Sequence, residues 1–206
     1  MTPEAVRQER NPGALRTCPP QTGPVVRRPR IGGPDEVAWI NATTGVGSAI
    51  TTAIPPGFAR YATIVVPDGE KERNRADRAL IDIVSAHTAT QPWWLGYLDT
   101  GVADVVRPDA PRVTVYTGWP YVLLEAGAEE ALTWRHDADA TPWHGALPEL
   151  LFPADHSWLV STLWDDDWRC VGGSAALVQA LLQNPDLDTR AVAVSGSATP
   201  PGHTAI

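Results

Sequence analysis

The chain has 206 residues, 43% of them hydrophobic, enough for one domain of ordinary size with a real core. Its net charge of −8 repels nucleic-acid phosphates and anionic lipid alike, so neither is a favoured partner. The two cysteines, Cys18 and Cys170, are too few for a disulfide framework, no apolar run approaches the roughly 20 residues that span a bilayer, and the start MTPEAVRQER has no apolar leader core; a cytoplasmic protein is expected.

Residues 1–34 carry seven prolines, from Pro3 to Pro34, with charges and no apolar periodicity, and read as a disordered Pro/Arg-rich tail. The basic run Arg27, Arg28 and Arg30 within it is a solvated linker. Residues 35–56 form a short helix from Asp35, its N-cap, to Ile40, and then a linker of small residues that Pro55-Pro56-Gly57 ends. The domain proper spans 57–195, and a loose Gly/Pro-rich tail covers 196–206.

Within the domain, 61–66 (YATIVV) is apolar on both faces and predicts a central strand. A charged loop leads to a helix over 75–87, with Ala76, Leu80, Ile83, Val84 and His87 on one stripe. Strands follow at 93–98, 112–117 and 121–126, the last two joined through Gly118-Trp119-Pro120. A short helix over 129–136 has its acids in the first turn, where the helix dipole favours them. Residues 137–150 read as loop. Strands at 157–164 and 168–171 make a hairpin whose turn is Asp165-Asp166-Asp167. Gly172-Gly173-Ser174 opens a helix over 175–183, and 190–194 is a last strand. Hairpins dominate this order, so the fold class is α+β: a mainly antiparallel sheet with two or three helices packed on it.

Chemically capable residues crowd at 151–173 (LFPADHSWLVSTLWDDDWRCVGG). Asp165, Asp166 and Asp167 could offer carboxylate oxygens to a divalent cation, yet Asp is also a turn former and a guard against strand aggregation. His156 follows Asp155, but neighbours in sequence rarely align ring and carboxylate. His136, Asp137, Asp139 and His144 form a second cluster, in a loop beside Trp134 and Trp143 and without supporting ligands. His87 reads as a helix-end residue and His203 as part of the tail. Cys170 is a small buried hydrophobe, on the opposite face of its strand from Arg169. Gly172-Gly173-Ser174 lacks the lysine of a phosphate-binding loop and the third glycine of a dinucleotide fingerprint. No catalytic residue, metal ligand or cofactor is assigned. The tryptophans remain. Nine in one chain is a surplus for a core of this size, so some are expected at the surface, where Trp is a preferred interface anchor.

From Trp39 to Val194 the chain resembles a family of uncharacterised proteins from high-GC actinobacteria. The resemblance rests on Trp39-Ile40, PPGFARYATIVVP, WWLGYLD, YVLLEAG, FPADHSWLVSTLWDDDWRCVGG and LVQALLQNPDL. It implies a shared fold and assigns no activity. Relatives have an arginine where this chain has His156, which implies that His156 is not catalytic. The alternation of strands and short helices is also loosely similar in architecture to immunity and scaffold modules of the SUKH type.

These readings converge on a cytosolic interaction or regulatory, immunity-like module. Trp93, Trp119, Trp164 and Trp168, with Asp165, Asp166 and Asp167, are its expected binding residues, and a protein, preferably basic, is its expected partner. The alternative is a metal-dependent hydrolase centred on Asp165–Asp167 with His156.

Overall fold

The computed structural model describes residues 29–89, 91–101, 105–137, 146–163 and 166–204. In chain order they form α1 (Pro34–Asn41), one 3-10 turn (Ile50–Thr52), β1 (Arg60–Val65), α2 (Glu70–Ala86), β2 (Trp93–Leu98), β3 (Val113–Val115), β4 (Trp119–Ala126), α3 (Ala128–Asp137), β5 (Leu150–Pro153), β6 (Leu159–Ser161), β7 (Trp168–Gly173), α4 (Ala175–Gln183) and β8 (Asp188–Val192). The strands make one eight-stranded sheet in the order β3-β4-β2-β5-β6-β7-β1-β8, and every pairing in it is antiparallel. The fold is α+β. Among the described residues no helix is long and apolar enough to cross a membrane.

Both faces of the sheet are covered, which explains why its central strands read as nearly unbroken apolar runs. On one face α2, α3 and α4 pack Leu80, Val84, Ala131, Leu177 and Leu181 against Ile64, Trp93, Leu95, Val122 and Val171. On the other, α1, the 3-10 turn and the C-terminal segment set Val37, Ile40, Ile50 and Ala198 against Tyr61, Trp94, Leu123, Phe152 and Trp168. Successive strand side chains point to opposite faces, so the neighbours Trp93 and Trp94 are each buried, in different cores.

The structure departs from the sequence reading in several places. α2 begins at Glu70, because Glu70 and Glu72 occupy its first turn and the expected charged loop is helical. β5 lies within and just past the expected loop, in a run too short to show a period and closed by Pro153. Ala154 N donates to Pro92 O, so alternate residues of β5 bond toward β2 and Pro153 faces β6. The β5–β6 pairing covers only Leu150 and Leu151, so the missing N–H of Pro153 costs no ladder bond. The β3–β4 turn falls at 116–118, with Tyr116 at φ 57 and Gly118 at φ 120, and Trp119 is paired with Val115 rather than in the turn. β8 starts two residues early. Gly33, not Asp35, caps α1, and the Glu36 carboxylate accepts the Gly33 N–H at 2.8 Å.

Parts of both expected tails are docked. Ile31 bridges Leu124, and Gly32 N donates to Leu123 O, so this segment runs beside β4 where β3 has ended. Arg30 lies over the Trp94 ring and pairs with Glu125 and Glu36. At the other terminus Ser197 bridges Ala49, and Ala198 N donates to Ser48 O at 2.8 Å.

Candidate functional site

β6 and β7 form the expected hairpin, with Leu159, Val160 and Ser161 opposite Gly172, Val171 and Cys170. The described part of its acidic connection is split. Asp166 is turned inward at 5% exposure, whereas the Asp167 side chain is 54% exposed. Trp164 and Asp165 lie outside the described residues.

His203 comes to Asp167 from the C-terminal segment. Its Nδ1 lies 2.8 Å from both carboxylate oxygens, and its ring stands edge-on to Trp168. This geometry fixes the imidazole and turns Nε2 away from the carboxylate. Sequence reasoning placed His203 in a loose tail; 36 residues separate it from Asp167, and no local pattern carries a pairing that only the fold creates. Val66 N donates to Asp167 O at 2.8 Å, which ties the turn to the end of β1.

The tryptophans correct the expected surface. Trp93 is buried and meets Trp158 edge-to-face at 5.1 Å. Trp168 is 2% exposed and belongs to the core beneath the turn. Neither can dock a partner. Trp119 is half-buried at the margin of that same core, near Tyr116. A two-sided sheet accommodates more large side chains than the single-core picture behind the surplus argument allowed.

The other candidates are engaged inside the chain. His156, at φ 56, stacks on Trp39 with ring centroids 4.3 Å apart. Although the residue keeps solvent contact, partial desolvation of the ring lowers its pKa, with Asp155 opposing. An arginine at this position would cover the same ring through its guanidinium. Cys170 is fully buried, and desolvation pushes its thiol well above the ordinary range, so it is a poor nucleophile. Across the row, the Tyr116 hydroxyl meets Ser161 Oγ at 2.5 Å and donates to Ala53 O at 3.0 Å. Gly172 faces Ile54 and Phe58, and Gly173 faces Leu177; both belong to β7, and Ser174 caps α4 by accepting from Leu177 N. Arg135 on α3 donates to Leu147 O at 2.6 Å and to both Glu149 oxygens, over the Tyr97 ring. Asp139, Trp143 and His144 lie outside the described residues. Among the described residues no three His, Cys, Asp or Glu side chains come together as a cation site.

No protein-family model, no curated protein and no solved structure matches this chain.

Proposed function

We propose that the protein is a cytosolic interaction module, regulatory or immunity-like in role, that receives a basic partner at the acidic β6–β7 connection. One observation carries the reading. Asp167 stands half-exposed and is held by His203, Val66 and the buried Trp168 beneath it, so the turn offers an ordered anionic group at low entropic cost to a partner. The net charge of −8 favours the approach of a cationic surface. Trp119, half-buried, is the one described tryptophan of the expected set with area left for contact. The resemblance to uncharacterised actinobacterial chains and the SUKH-like outline are part of this proposal.

The test is capture from a lysate of the native host with the tagged full chain, read by mass spectrometry, against an Asp167→Arg variant. A stoichiometric basic partner, lost on charge reversal and weakened by salt, supports the reading. A partner held equally by both proteins, or none at all, sinks it. Alanine at Trp168 is unsuitable as the control, because that residue tests the core and not the surface.

A further inference from the structure

The two ends of the sheet are finished differently. At β3 the Asn41 amide acts as a surrogate strand: Nδ2 donates to Thr114 O and Oδ1 accepts from Tyr116 N, each at 2.8 Å. At β8 no described residue pairs with the outer edge.

The register says which backbone groups face outward there. Val66 N donates to Asp167 O, so the alternating pattern of an antiparallel ladder turns residues 62 and 64 toward β7 and residues 61, 63 and 65 toward β8. Their partners Val192, Arg190 and Asp188 therefore bond inward. Thr189 and Ala191 direct their N–H and C=O groups away from the sheet.

We propose that this edge pairs, antiparallel and two-fold, with β8 of a second copy of the chain. A two-fold axis normal to the sheet keeps each side chain on its own face, so directly opposed residues must differ by an even number of positions. That leaves five registers centred on a residue of β8, of which the one on Val192 sets Arg190 against Val194 and gives neither charge an opposite partner. Centring on Arg190 opposes two guanidinium groups, and centring on Asp188 opposes two carboxylates, both unfavourable. Centring on Ala191 sets Asp188 against the apolar Val194. Centring on Thr189 sets Asp188 across from Arg190 of the second copy, twice, in the non-hydrogen-bonded positions where side chains come closest; Arg190 Nη2 stays on its own Ser197 and Thr199 carbonyls, which leaves Nη1 for the carboxylate. The same register lets Thr189 bond its own counterpart and lets Ala191 N–H reach Leu187 C=O of the second copy, whose own N–H is already given to Asn184 O. Charges that turn an arbitrary strand away thus fit their own two-fold image. Leu182 on α4, a helix that contacts β8, and Val194, two residues past the end of β8, are two of the exposed large hydrophobics among the described residues.

The experiment is sedimentation velocity on the full chain over a concentration series, for wild type, Asp188→Arg and Ala191→Pro. Proline at 191 removes an outward N–H and leaves the β1–β8 ladder intact. A wild-type dimer that both substitutions weaken about tenfold or more, with unchanged circular dichroism, is the expected result. A wild type that stays monomeric to its solubility limit overturns the proposal. So does a dimer that either folded variant leaves untouched.

Discussion

The Arg169 guanidinium meets the Asp77 carboxylate at 2.7 Å, with the side chains 3% and 1% exposed, and so ties β7 to α2 across the helical core. Both ions have given up their hydration, and their mutual attraction offsets part of that cost. Asp77→Ala takes this carboxylate from a buried guanidinium and is expected to cost up to about 3–5 kcal/mol in urea unfolding, more than a surface pair. The double variant Asp77→Leu/Arg169→Met removes both charges and is expected to recover most of that loss. A double variant no more stable than the single one shows that the pair's worth lies elsewhere than in mutual neutralisation.

Gly172 has no room for a side chain. A Cβ there would lie 2.4 Å from Ile54 Cγ2 and 2.5 Å from Phe58 Cδ2. Gly172→Ala is expected to destabilise by about 1–3 kcal/mol through overpacking, with the loss partly restored by Phe58→Ala. An unchanged melting temperature means that the 53–58 segment is held less tightly than this contact requires.

Hydrophobic period carried the architecture further than it carried the site. YATIVV and WWLGYL are apolar on both faces and sit inside the sheet, and the hairpin around 162–167 was written in its alternation. LLFP was lost because four residues ending in proline fit a loop as well as a strand. The site residues failed for a different reason. Asp166 and Asp167 have the same chemistry in sequence, and only the approach of the C-terminal segment and the core beneath the turn sends one inward and the other outward. The tryptophan count pointed to the surface because it assumed one core, whereas this sheet has two.

His156 gives stability a pH dependence of known sign. Its ring, stacked on Trp39, is partly desolvated, so the folded state holds the proton less readily than the unfolded chain, whose histidines titrate near 6.5. The contribution is therefore present above that value and declines as pH falls through the lower folded pKa. His156→Asn removes the titrating ring, and asparagine tolerates the positive φ. Urea midpoints measured between about pH 7.5 and pH 5 are expected to fall less steeply for the variant than for the wild type. Parallel curves would assign the slope to other groups.

The Asp167–His203 contact divides the C-terminal segment into two parts with separate fastenings. Residues 196–198 are held by the backbone: Gly196 O accepts from Ile50 N, Ala198 N donates to Ser48 O, and Arg190 reaches the Ser197 and Thr199 carbonyls. Beyond Thr199 the side-chain anchor is His203 on Asp167. A partly exposed pair of this kind contributes about 0–1 kcal/mol, so His203→Ala is expected to leave the melting temperature nearly unchanged. Its effect is local. Amide exchange should quicken in a peptide covering 199–204, where His203 N closes a turn on Pro200 O, and stay slow at Ala198. The same variant, titrated with Mg²⁺, Mn²⁺ or Zn²⁺, is expected to match the wild type in showing no thermal shift. A cation-dependent shift abolished by His203→Ala or Asp167→Asn would instead make the pair part of a metal site and return weight to the hydrolase reading. Exchange that quickens equally at 196–198 would show that the segment is released as one unit and that the histidine is its main fastening.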